Sequence, residues 1–252
     1  MKQLLFIFSL LALAIPVVHA QSSPDIHLKV YKQSLKRGDF NTAAVAVHYL
    51  MAEGSVEGNW EDTLARLYFT SGRYFLARNA AEELLKSDPG NVPMLTIAAY
   101  SSKNLGRAKE AIPLFETLYA KTGNAGNLYD LISLQFALKR YGEAADNIET
   151  LLRDSTASNI KTVLRLGEGP GQEVPLNVAG LNIKGVIALE LGNKEEAEQI
   201  FAEALEIMPD FALAKQNMAV LQSTKNEREE EETPATDAPE TGKEKGKNKK
   251  KK

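Results

Sequence analysis

The sequence has no cysteine. That excludes disulfides, zinc knuckles, iron–sulfur clusters and thiol catalysis. It also excludes a lipidated cysteine at the start of a processed chain. Histidine is scarce, with 3 in 252 residues. His19 lies in the apolar N-terminal segment, and His27 and His48 fit neither HxxxH nor HExxH spacing, so no metal site is expected. There is a single tryptophan, Trp60, and no Asn-x-Ser/Thr acceptor. No strongly basic balance exists either: 30 Lys and Arg stand against 33 Asp and Glu, a net charge of -3. Nucleic acid is therefore not an expected partner.

Catalytic patterns are missing as well. There is no GxSxG nucleophile motif. Gly167-Glu168-Gly169-Pro170-Gly171 lacks the Lys-Ser/Thr that follows a phosphate-binding loop, and Pro170 removes an amide donor. Glu195 and Glu196 suit the start of a helix, and Glu198 and Glu203 read as its solvated face. No pair of carboxylates is set apart for acid–base work. The expectation is no enzyme, no catalytic residue and no cofactor.

What is present begins with two unusual ends. Met1-Lys2-Gln3 is a short basic start, Leu4 to Val18 is almost wholly apolar, and Val18-His19-Ala20 fits a small-residue cleavage site. The run is short for a membrane span, which needs about 20 apolar residues. Residues 1–20 are read as a signal peptide, with a processed chain beginning at Gln21 and no transmembrane span in it. Export is expected, to a bacterial periplasm or to the outside. At the other end, Lys225 to Glu240 carries seven acids and two bases, or -5, and Thr241 to Lys252 carries seven lysines and one acid, or +6. Residues 225–252 are read as a disordered charged tail. Its lysines could make weak contact with an anionic envelope surface.

Between the ends lies a repeat. Ala43, Ala77 and Ala111 are 34 residues apart, and Gly38, Gly72 and Gly106 keep the same phase. Each unit reads as two amphipathic helices, the first ending at the glycine and the second carrying the alanine. The fullest copy runs from Leu181 through Gly185 and Gly192, then Ala197 and Phe201, to Pro209. Another has Leu64, Ala65 and Tyr68, then Gly72, Ala77, Leu84 and Pro89, and a third has Leu95, Ala99, Gly106, Ala111 and Phe115. This pattern resembles the tetratricopeptide repeat. Small residues let paired helices approach closely, and several pairs must stack because one cannot bury its own apolar face.

The predicted fold is all-α: a right-handed α-solenoid of repeats near 25–52, 58–91, 92–123, 127–153 and 178–210. The fourth copy is irregular, with Lys139 in place of the turn glycine and Ala144 only 33 residues after Ala111. An insertion at 159–177 holds two short apolar–polar runs about a glycine-rich turn, which reads either as a small β-hairpin or as an extended loop. Residues 211–223 form a capping helix, with Leu213, Met218 and Leu221 predicted to be buried.

The resemblance implies a concave groove lined by the first helix of each repeat, where a protein or peptide partner binds. Carrying the register over gives Lys29, Lys32, Arg66, Phe69, Tyr100, Lys103, Tyr129, Phe136 and Asn182 as candidates for the partner-binding groove. The mix is basic and aromatic, suited to a peptide with acidic and apolar groups. The family's carboxylate-clamp set is not reproduced, so chaperone-tail binding is not implied. The expected function is an exported, non-enzymatic protein–protein interaction scaffold or adaptor. The alternatives are carbohydrate binding on groove tyrosines and envelope tethering through the lysine tail.

Overall fold

Why the repeat folds as it does is clearest at its turns. In the computed structural model, which describes residues 24–54 and 58–232, eleven helices appear in the described residues. The first two are α1 (Pro24–Lys36) and α2 (Phe40–Glu53), followed by α3 (Trp60–Thr70), α4 (Tyr74–Ser87) and α5 (Val92–Asn104). Then come α6 (Ala108–Thr122), α7 (Ala125–Ala137) and α8 (Tyr141–Arg153). A β-hairpin of β1 (Lys161–Arg165) and β2 (Gly171–Pro175) precedes α9 (Leu176–Glu190), α10 (Lys194–Ile207) and α11 (Ala212–Glu232). Residues 1–20, read from the sequence as a signal peptide, and the tail beyond 232 lie outside the described residues.

Five turns join first helices to second helices, and they are built alike. Gly38, Gly72, Gly106 and Gly192 have positive φ, and so does Lys139, at 57°. At each, the next residue donates its N–H to a carbonyl five residues back. The bonds are Asp39→Ser34 2.9 Å, Arg73→Tyr68 2.8 Å, Arg107→Ser102 2.9 Å, Arg140→Gln135 2.9 Å and Asn193→Ala188 2.8 Å. This is the Schellman closure, whose left-handed residue is normally glycine. The register of the irregular fourth repeat is thereby settled: Lys139 occupies the glycine position and bears the strain itself. A left-handed conformation costs a side-chain-bearing residue roughly 1–2 kcal/mol. Lys139→Gly is therefore expected to raise unfolding free energy by about 1 kcal/mol, read as a higher urea midpoint.

The chain divides into two compact units, one ending at Arg107 and one starting at Ala108. In the first, α1 packs on α2, α2 on α3, α3 on α4 and α4 on α5, and α3 also touches α5. In the second, neighbours again pack in succession from α6 to α11, and α7 also touches α9. Contact between successive first helices is what makes stacked repeats rather than isolated helical hairpins. The repeat alanines Ala43, Ala77, Ala111, Ala144 and Ala197 are all fully buried. Gly185 shows why a small residue is needed: a Cβ there would lie 2.5 Å from Phe201 Cε1.

The insertion is the hairpin rather than the extended loop. Its strands pair antiparallel, Lys161 with Pro175 through to Arg165 with Gly171. Pro175, which has no N–H, closes β2 and lets α9 start directly behind it.

The cap differs from expectation in two ways. Leu213 and Met218 are only half-buried; Phe211, Ala214 and Leu221 are the buried anchors. The helix also continues to Glu232 rather than stopping near 223. Residues 225–232 are rich in Glu, with Lys and Arg, which propagate a helix readily once packing has nucleated it.

Candidate functional site

Asn59, Asn91 and Asn124 cap α3, α5 and α7 at equivalent places, each side chain accepting the N–H three residues on. The caps fix where each first helix starts. In the first unit, the C-terminal half of α3 and the N-terminal half of α5 then flank a cleft of about 510 Å³ lined by Arg66, Phe69, Thr70, Val92, Pro93, Thr96 and Ile97. Arg66 is exposed and has no ion-pair partner among the described residues, while Phe69 is half-buried and meets Tyr74 edge-on at 5.9 Å. The lining holds one cation, no carboxylate and a largely apolar floor.

The nine candidates have different fates. Arg66 and Phe69 meet in this cleft. Tyr100 and Lys103 continue along α5, half-buried, with the ammonium 5.7 Å from the ring centroid. Lys29 and Lys32 are exposed on α1 and do not line the cleft.

In the second unit, Tyr129 is packed rather than presented, with 8 % of its surface exposed. Burial pushes its phenol above the ordinary tyrosine value. It is therefore corrected from a groove contact to a core residue. Phe136 is half-buried against Tyr141, with ring centroids 6.0 Å apart. Asn182 is already engaged: its Oδ1 accepts from Asn217 Nδ2 of α11 at 3.1 Å.

A family model described as tetratricopeptide repeat matches residues 63–127 and 129–210. The chain belongs to the tetratricopeptide repeat family. Several solved structures share the fold. A tetratricopeptide repeat protein from Parabacteroides merdae is 16% identical, over 82% of this chain and 75% of that one, with a TM-score of 0.58. A MamA protein is 15% identical over 75% and 93% respectively, TM-score 0.57. MamA from Desulfovibrio magneticus is 12% identical over 75% and 97%, TM-score 0.55. At these identities the likeness is one of fold. No curated protein matches the sequence.

Tetratricopeptide repeat proteins are in general non-enzymatic scaffolds that bind protein partners, and the cleft has the composition for that work. A guanidinium at an apolar wall can fork onto a carboxylate while the wall packs an apolar neighbour. The sequence reading missed Thr70, Val92, Pro93, Thr96 and Ile97. Arg66 and Tyr100 hold the same place in consecutive repeats, 34 residues apart, yet only Arg66 lines the cleft. The cleft pairs the end of one first helix with the start of the next, so equal register does not mean a shared cleft.

Among the described residues, His27, His48 and Trp60 serve the first unit's packing. His27 Nδ1 lies 2.9 Å from Glu53 Oε1, with its ring stacked on Tyr49. His48 Nε2 and Tyr68 Oη are 2.7 Å apart. Trp60 meets Tyr31 edge-on at 5.5 Å.

Proposed function

We propose that this tetratricopeptide repeat chain is an exported, non-enzymatic adaptor that holds a partner protein through the α3–α5 cleft. The bound segment carries an acidic side chain next to an apolar one. The observation that carries this reading is the guanidinium of Arg66, without an ion-pair partner among the described residues, at the rim of an apolar cleft whose lining holds no carboxylate. The basic start, apolar run and Val18-x-Ala20 pattern of the first residues support export to a periplasm or beyond. No helix among the described residues is long and apolar enough to cross a membrane. In this reading the lysine block at 243–252 adds a weak contact with an anionic envelope surface.

Arg66→Glu tests the site. It replaces an exposed side chain, so its effect on folding is within about 0.5 kcal/mol. Capture of the partner from the native envelope is expected to fall roughly tenfold to a hundredfold, as loss and reversal of a charge-assisted contact predicts. Unchanged capture with an intact helical circular dichroism signal would remove the cleft from the account.

A further inference from the structure

The hairpin does not resemble a passive insertion, because it is held firmly by one face while the other is left open. Its inner side chains are Thr162, Leu164, Gln172 and Val174; the last is fully buried and the others are half-buried. Gln172 locks the hairpin to the start of α11. Its Nε2 donates to the Asp210 carbonyl at 2.9 Å and its Oε1 accepts from the Ala212 N–H at 3.0 Å. At the base, the Leu176 N–H is shared between the carbonyls of Ala157 and Ile160, at 3.0 and 2.9 Å. A free two-stranded hairpin is marginal in water; this one is anchored at both ends.

The outer face carries Lys161, Val163 and Arg165 on β1 and Glu173 on β2, all exposed. Val163 is 58% exposed. Its Cγ1 lies where a side chain on Gly171 would be, 2.4 Å from the position of that Cβ. Val163 therefore leans inward over β2 and leaves the outer edge of β1 clear.

That edge is unpaired. The sheet has two strands, and apart from the pairing with β2 no hydrogen bond from a described residue reaches the backbone of residues 161–165. An edge of this kind is a template for another extended segment. The β2 edge is the poorer template, since Pro175 offers no donor and Val174 is buried.

We propose that the outer edge of β1 is a second binding site, which takes an extended peptide segment of acidic–x–apolar–x–acidic pattern by β-strand addition. Charge selects that occupant. Lys161, Val163 and Arg165 alternate on one face at the two-residue period of a strand, so acid, apolar and acid on the added strand fall opposite them. Arg165 has no ion pair among the described residues. Lys161 has a loose one with Glu173 at 3.4 Å, both side chains well exposed, which an incoming carboxylate can replace. A second copy fits less well: antiparallel pairing of β1 with itself about Val163 sets Lys161 against Arg165. This site is separate from the α3–α5 cleft and does not rest on it.

The test uses the full chain and a fluorescent peptide of sequence TETVTET, followed by anisotropy. Saturable binding is expected. Lys161→Glu with Arg165→Glu should weaken it roughly tenfold, from two reversed cross-strand pairs. N-methylation of alternate peptide amides, which blocks the edge hydrogen bonds and leaves the side chains, should weaken it at least as much. Lys109→Glu, at an exposed position outside both sites, should leave it unchanged. Circular dichroism on the double variant confirms that its helices are intact. The proposal is overturned by no saturable binding up to about 1 mM protein, or by binding indifferent to N-methylation. It is equally overturned by binding lost in Arg66→Glu and kept in the double variant. A dimer in sedimentation that the double variant dissolves would make a second copy the occupant, and overturns it too.

Discussion

Gly185→Ala is expected to destabilise the second unit by about 2 kcal/mol, although the same change usually stabilises a helix interior by about 1 kcal/mol. The added methyl would meet Phe201 Cε1 at 2.5 Å and Cδ1 and Cζ at 2.8 Å. Phe201 is fully buried, so the ring has no free direction to move in. Overpacking of a filled core costs about 1–3 kcal/mol, and here three ring atoms are struck at once. Two other glycines supply the contrast. Gly142→Ala on α8 meets nothing within 4 Å and should gain stability, by about 0.5–1 kcal/mol. Gly180→Ala is tight against the Leu151 Cδ2 methyl alone, at 3.1 Å, with Ile148 Cγ2 at an ordinary 3.9 Å; the tight atom is the end of a flexible side chain, and the change should be nearly neutral. Denaturant midpoints of the three variants give the ordering. A Gly185→Ala midpoint equal to that of Gly142→Ala would show that α9 and α10 are not closely apposed at Phe201.

Phe211→Ala should have the larger effect on one element. Phe211 is fully buried and precedes α11 directly. Truncating a buried phenylalanine costs about 3–5 kcal/mol. The loss falls on the last described helix, whose other apolar anchors are the half-buried Leu213 and Met218 and the buried Ala214 and Leu221. Hydrogen exchange should therefore show residues 212–221 losing protection while α7 and α8 keep theirs, as expected of nearest-neighbour repeat energetics. Gln172→Ala removes the two hydrogen bonds that hold the same junction, and should cost less, about 1–3 kcal/mol. Uniform loss of protection across the second unit in Phe211→Ala would contradict the assignment of α11 as a cap.

Much of this architecture is legible in the sequence because the repeat is written in positions that physics leaves little choice about. The alanines at period 34 are buried at helix crossings, and the turn glycines adopt left-handed backbone. Lys139 looked like a break in the pattern; the same turn forms there with the strain carried by a lysine. The helix at 225–232 was not legible, since charged, apolar-poor segments look alike whether or not a packed helix precedes them.

The candidate site was harder to read. Thr96, Tyr129 and Asn182 each stand ten residues before the turn residues Gly106, Lys139 and Gly192. Thr96 lines the cleft, Tyr129 is packed and Asn182 bonds to α11. Repeat register gives the position of a side chain on its helix. Its size and the next helix decide whether it is presented to a partner.

Site-specific photo-crosslinking of the full chain in its native cells tests the central claim most directly. A photoreactive residue at Thr96 sits in the cleft wall, and one at Val45 sits on the exposed face of α2. The account predicts an adduct from position 96 that Arg66→Glu abolishes, and none of the same mass from position 45. Adducts from position 45 alone, or an adduct from position 96 that survives Arg66→Glu, would contradict it.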